Sequence, residues 1–208
     1  QLLDRIDAYF DRNGLFFLSS RAIYIHYSNH NILNVMEQLV NYKKLLFRQG
    51  FFDDFLFGTS HSYRNIQTKR HFVLNTPLPP EYSDVPVFLV GSGPSLDNDI
   101  EFLQRNQDKA LIVACGSAVD ALYHAGIKPD FYANIERTPD PLKTLNAIPD
   151  RSFFRDIVLL STDVFYPDTL ELFEHSALFG KLNEPFFRYL YDNFPKVRNV
   201  LAIDKVNP

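Results

Sequence analysis

Between residues 84 and 165 the chain alternates short apolar runs with amphipathic stretches. Pro86 to Val90 is an uninterrupted apolar segment of the kind buried on both faces in a parallel sheet. After it comes Gly91-Ser92-Gly93-Pro94-Ser95, and then Leu96, Ile100 and Leu103 at the i, i+4, i+7 spacing of an amphipathic helix, with Ser95 where an N-cap belongs. Ala110 to Ala114 predicts a second strand, ending in Cys115-Gly116-Ser117. Ala118, Ala121, Leu122 and Ala125 share one face of a second helix, which Gly126 stops. Lys128-Pro129-Asp130 turns the chain into a third strand, Phe131 to Ile135, ending in Glu136-Arg137-Thr138-Pro139. Ile157 to Ser161 predicts a fourth, closed by Thr162-Asp163, and Val200 to Ile203 reads as one more. Strands alternating with helices are the signature of an α/β fold, here a Rossmann-like, mostly parallel sheet with right-handed crossovers.

Upstream the pattern changes. Residues 1–80 read as mainly helical, with Ile32, Val35, Met36, Leu39 and Val40 at helical spacing and a high aromatic density in Phe16-Phe17, Phe51-Phe52 and Phe55-Leu56-Phe57. That density suits packing against another domain or subunit. Thr76-Pro77-Leu78-Pro79-Pro80 is a rigid extended segment and a reasonable boundary, because consecutive prolines neither continue a helix nor pair in a sheet centre. A second domain is expected over 84–208, incomplete at its C-terminal end. A chain that opens at Gln1 without a start methionine and stops just after an apparent strand reads as a fragment of something longer.

Bulk properties narrow the classes. With 208 residues, 46% of them hydrophobic, the chain can bury a sizeable core. A net charge of -4 and a pI near 5.8 argue against a dedicated nucleic-acid binder. Lys43, Lys44, Arg48, Arg64, Lys69 and Arg70 are scattered among aromatics, the pattern of a solvated face. One cysteine allows no internal disulfide and fits a reducing compartment. No apolar run approaches the ~20 residues a membrane helix needs, and no signal-peptide pattern opens the chain. A cytoplasmic protein, without membrane partner, is the expectation.

In a parallel sheet the carboxyl ends of the strands share one edge, and ligands of open α/β sheets bind in the crevice outside it. Four polar clusters converge there: Gly91 to Ser95, Cys115 to Ser117, Asn134 to Arg137, and Ser161 to Asp163. The first is the strongest. Glycines let a ligand approach the main chain, and the amides of Ser92, Gly93, Ser95 and Leu96 can point at a phosphate near a helix N-terminus. Pro94 removes one donor, and Asp97, Asp99 and Glu101 favour the helix while repelling an anion.

Three ordered motifs, Gly91-Ser92-Gly93-Pro94-Ser95-Leu96, Ala114-Cys115-Gly116-Ser117-Ala118 and Ala125-Gly126-Ile127-Lys128-Pro129-Asp130-Phe131, resemble the motility-associated factors. These are bacterial flagellin glycosyltransferases whose central domain is grouped with archaeal 6-hydroxymethylpterin diphosphokinase. The resemblance covers roughly residues 84–140. It implies a Rossmann-like domain that binds a nucleotide sugar, with Gly91, Ser92, Gly93, Pro94 and Ser95 facing the donor's phosphate and sugar. Cys115, Gly116 and Ser117 would line the floor, and Asn134 and Glu136 would bond ribose or base. The implied donor is CMP-pseudaminic or CMP-legionaminic acid and the implied acceptor a serine or threonine of flagellin.

Charge separates the branches of that group. The diphosphokinase branch resembles the thiamine pyrophosphokinases, with an Asp-Gly pair after the second strand and Asp-x-Asp after the third to hold magnesium on ATP. This chain has Cys115-Gly116 and Asn134-Ile135-Glu136, which lack two of those carboxylates, and magnesium wants hard charged oxygens. No metal or other cofactor is therefore expected. Transfer from a CMP-sugar needs a general base and a stabilised leaving phosphate. Glu136 is the expected base, with Asp163 behind it among the ligand-binding groups, set against a plain ion pair of Glu136 with Arg137. His124 is expected on the surface. His175 could approach the site, and His26 with His30 has zinc-like spacing without a third ligand. A diphosphokinase and a non-catalytic nucleotide-binding scaffold remain the alternatives.

Overall fold

The computed structural model describes residues 52–68, 71–77 and 79–203. The chain divides into two compact units at Asp53/Asp54, and the second holds the sheet. Residues 1–51 of the helical region expected over 1–80, with their Ile32 to Val40 face and His26 and His30, lie outside the described residues.

Seven strands form one sheet: β1 (His71–Phe72), β2 (Val87–Val90), β3 (Leu111–Cys115), β4 (Phe131–Ala133), β5 (Val158–Thr162), β6 (His175–Lys181) and β7 (Ala202–Ile203). Their order is β1-β6-β5-β4-β3-β2, with β7 pairing the end of β6 where β1 has left off, and every ladder is parallel. Between them run α2 (Leu96–Asn106), α3 (Ala118–His124), α4 (Asp140–Ala147) and α5 (Pro167–Leu170), preceded by α1 (Phe52–Gln67) and followed by α6 (Pro185–Asn193). Because β2 to β6 are neighbours in chain order, right-handed crossovers carry α2 to α5 over one face. The core lies there: Val90, Ile112, Ala114, Tyr132, Leu159 and Leu178 from the strands meet Leu96, Leu103, Val119, Leu122, Leu145 and Leu170 from the helices.

Local chemistry explains the turns. Gly126 has φ 69° and its amide bonds Tyr123 O while Ile127 N bonds Leu122 O, so helix α3 ends in a Schellman motif with buried Leu122 and Ile127 in its hydrophobic contact positions. Asp130 then accepts from Ile112 N at 2.8 Å, which fixes the turn into β4 against β3.

Two sequence expectations change. The segment at 86–90 is not buried on both faces: Phe88 and Val90 face the core beneath α2, but Val87 and Leu89, on the opposite face, are 50% and 75% exposed. The unit boundary falls upstream of the proline segment, since α1 and β1 belong with the sheet. Helix α1 is attached through polar groups. Ser62 Oγ donates to Asp163 Oδ2 at 2.5 Å, and Asn65 Nδ2 donates to the carbonyls of Asp163 and Phe165 at 2.8 Å each. His61 Nδ1 lies 3.3 Å from Val164 O, and burial holds that imidazole below its usual pKa.

Asp163 is the hub of this attachment. Burial is the main reason its carboxyl titrates at about 6, opposed by the hydrogen bonds from Ser62 and from Lys181 N and reinforced by nearby Glu184. A carboxyl with a folded pKa above its unfolded 3.8 binds more protons in the native state across that interval, so its contribution to stability falls as pH rises from about 4 to 6. We expect Asp163→Asn, which keeps the acceptor for Lys181 N, to match the wild type near pH 4 and exceed it at pH 7 by up to ~3 kcal/mol, at ~1.4 kcal/mol per unit. Urea denaturation at a series of pH values checks this, and a variant less stable at pH 7 would refute it. A second expectation concerns Gly180, where a Cβ would overlap the Phe187 ring of α6. Gly180→Ala should cost about 2 kcal/mol or more, and Phe187→Leu should restore part of the loss.

Candidate functional site

At the carboxyl end of β2 the chain passes through Gly91 to Ser95, all exposed, before α2 begins. The amides of Ser92, Gly93 and Ser95 donate to no group among the described residues, whereas Leu96 N is taken by Gly93 O at 3.0 Å. The expected anion-binding set therefore contracts to three amides. Ser95 sits at the N-cap position with φ -70° and ψ -20° and makes no side-chain cap bond, which leaves its hydroxyl uncommitted among the described residues. Neither Gly91 nor Gly93 has a positive φ, and a Cβ on either would meet nothing within 4 Å. The fold does not need glycine there; close approach of a ligand would. Gly116 is different, with φ 56° at the end of β3. Ser92 Oγ and Ser117 Oγ lie 2.7 Å apart and join the two loops.

Beside Ser117 opens a cavity of about 250 Å³ lined by Gly116, Ser117, Tyr132, Asn134, Glu136, Asp140, Pro141 and Thr144. Its wall is self-fastened. Asn134 N continues the ladder to Leu160 O, and Ser161 Oγ donates to Asn134 O. Asn134 Oδ1 accepts from Glu136 N at 2.9 Å, so its Nδ2 faces and donates to Tyr132 Oη at 2.7 Å. Burial pushes the Tyr132 phenol up to about 12. Glu136 Oε1 accepts from Arg137 N at 3.0 Å and Thr138 N at 3.3 Å. Asp140 accepts from Lys143 Nζ at 2.8 Å and Thr138 Oγ1 at 3.2 Å, and those bonds, Lys143 first, hold its carboxyl below the usual range.

The simple ion pair between Glu136 and Arg137 does not form. Arg137 instead reaches Glu184 at 2.7 Å and Asp54 O at 2.8 Å, and Glu184 also accepts from Lys181 Nζ at 3.0 Å. Thus the Glu136 loop is tied on one side to the cavity and on the other to a buried charge cluster.

Of the residues singled out from sequence, Gly91 to Ser95, Gly116, Ser117, Asn134 and Glu136 come together at this edge. Cys115 is half-buried beside it, outside the cavity lining, with its thiol pushed up by burial. Asp163 is fully buried under α1 and does not face the cavity. His175 opens β6 at the amino edge of the sheet, away from the site, and His124 is an exposed partner of Asp120 at 3.7 Å. Tyr132, Asp140 and Thr144 were not foreseen. Tyr132 lies inside the third strand expected from sequence, and Asp140 follows Thr138-Pro139, a helix-start pattern that could have pointed to it. A second hollow, about 230 Å³, lies between α1 and α5, where Arg64 is already paired with Asp168 at 3.0 Å. It lacks the convergence of strand ends.

A family model described as 6-hydroxymethylpterin diphosphokinase MptE-like matches residues 60–201. Among solved structures, the chain is similar to a MAf glycosyltransferase from Magnetospirillum magneticum AMB-1, with 29% identity and a TM-score of 0.66 over 86% of this chain. The aligned region spans 28% of that longer protein. No curated protein matches. The family match runs from α1 to the threshold of β7 and takes in every loop of the site, extending the likeness carried by the three motifs. The chain belongs to the 6-hydroxymethylpterin diphosphokinase MptE-like family.

Proposed function

We propose that this is a glycosyltransferase domain that moves a nonulosonic, sialic-acid-like sugar from CMP-pseudaminic or CMP-legionaminic acid to serine or threonine hydroxyls of flagellin. The observation that carries the reading is the Gly91 to Ser95 loop, with three undirected amides beside a polar cavity, in a fold similar to that of a glycosyltransferase.

In the proposed reaction the acceptor oxygen forms a bond to the anomeric carbon as the bond to the phosphate oxygen breaks, and that electron pair leaves with CMP. The amides of Ser92, Gly93 and Ser95 and the hydroxyls of Ser92, Ser95 and Ser117 stabilise the departing phosphate. Glu136 takes the acceptor proton. Its Oε1 is occupied by two backbone amides, and its Oε2 makes no bond among the described residues. Cys115 and Asn134 stand where a magnesium site would want carboxylates, and Asn134 is committed to Tyr132 and Glu136, so the proposed transfer uses no metal.

Gly93→Val tests the loop, since its Cβ enters empty space at an ordinary φ. We expect micromolar-range CMP binding by calorimetry, independent of magnesium, weakened about tenfold or more in the variant with an unchanged melting temperature. Unchanged CMP affinity would rule the loop out as the donor site, and strictly magnesium-dependent ATP binding in place of CMP would favour a diphosphokinase.

A further inference from the structure

Strand β2 is an open pairing edge that runs directly into the glycine loop. Leu111 N donates to Pro86 O at 2.9 Å, which sets the phase of the parallel ladder: Phe88 and Val90 turn their amides and carbonyls to β3, and those of Val87 and Leu89 point away from the sheet. No strand receives them among the described residues. The side chains are as open as the backbone. Val87 and Leu89 are exposed on one face, and on the other the exposed Phe102 of α2 meets Phe88 with ring centroids 5.6 Å apart. Val87–Val90 carries no charge and no bulge to guard the edge. Charge says what fits there. From Phe72 to Gln104 the chain has no Lys, Arg or His but five exposed carboxylates, Glu81, Asp84, Asp97, Asp99 and Glu101, and among the described residues only Glu101 has an ion-pair partner, Arg105 at 3.8 Å. A second copy of this edge brings the same charges against it, whereas a cationic strand is attracted.

We infer that β2 is the docking edge for the acceptor polypeptide, which adds to it as an extended strand of basic and apolar residues. This rests on the proposed function, in which a protein hydroxyl is the acceptor. Backbone bonds to Val87 and Leu89 hold the strand, its apolar side chains lie against Val87, Leu89 and Phe102, and its basic ones meet the carboxylates. Those cations also offset the repulsion that Asp97 and Asp99 exert on the donor's phosphate. Neighbouring strands lie about 4.8 Å apart, so the end of β4, with Glu136, stands three spacings or ~14 Å from the added strand. About four or five extended residues cover that distance, which places the reacting hydroxyl that far along the chain from the docked segment.

Amide hydrogen exchange of the full chain, followed by NMR with and without the peptide Lys-Val-Lys-Val-Thr-Val-Lys, reads the docking residue by residue, and calorimetry on the same samples gives the CMP affinity. We expect exchange at Val87 and Leu89 to slow about tenfold or more on saturation, with little change at Phe88 and Val90, which β3 already holds. Exchanging the peptide's lysines for glutamates, or N-methylating its backbone amides, should weaken binding about tenfold or more. Leu89→Pro removes one outward amide and should do the same. Should that variant fail to fold, Asp97→Asn combined with Asp99→Asn, on the exposed start of α2, should still lower peptide affinity about threefold with an unchanged melting temperature. If CMP binds but Val87 and Leu89 stay unprotected, or the altered peptides bind as well as the parent, the docking edge is overturned and the proposed function stands. Protection of both amides without peptide, rising with protein concentration, overturns it in favour of a second copy. If the peptide docks and CMP does not bind, the acceptor role falls together with the proposed function.

Discussion

The carboxyl edge of this sheet depends on one buried carboxyl. Asp163 follows directly after β5 and accepts from Ser62 of α1 and from the Lys181 amide at the end of β6, while its own carbonyl receives Asn65. Three elements distant in sequence are thereby held at a single residue. Removing such a group from water is expensive, and the protein meets that expense with hydrogen bonds and by letting the proton bind more readily than in water. The same cluster reaches the cavity. Glu184, beside Asp163, holds Arg137, whose amide holds Glu136. The loop at the end of β4 is thus anchored from beneath by charge and from the side by the Asn134 carboxamide.

Much of the α/β arrangement could be read along the chain. The strands at β2, β3, β4 and β5 were each expected within a few residues, because apolar runs closed by glycine, proline and short polar residues leave little alternative. The Gly126 stop was legible for the same reason, since a Schellman turn demands a positive φ. Strand β6, His175–Lys181, was not foreseen: Ser176, Gly180 and Lys181 dilute its apolar signal, and Gly180 is there to clear the Phe187 ring. Helix α1 falls within the stretch read as mainly helical, but its attachment to the sheet was not foreseen, for a deeper reason. Apolar periodicity finds faces that bury carbon, but α1 docks with Gly58, His61, Ser62 and Asn65, a face that buries hydrogen bonds.

The site was legible in its loops and hidden in its walls. Gly91 to Ser95, Ser117 and Glu136 follow from the rule that ligands gather beyond strand ends. Asp163 follows from the same rule and was misassigned, because a strand end can face a helix as readily as a ligand. Tyr132 belongs to the strand interior by pattern, yet its phenol extends to the rim and meets Asn134. Alternation along a strand says which face a ring occupies and nothing about how far it reaches.

Among the described residues, strand β2 has a neighbour on one side only. The glycine loop therefore hangs from the margin of the sheet, while the cavity is set among inner strands braced on both sides. Substitutions that reshape this loop disturb a single ladder and leave the core of the domain untouched, whereas a comparable change at β4 or β5 would propagate to two.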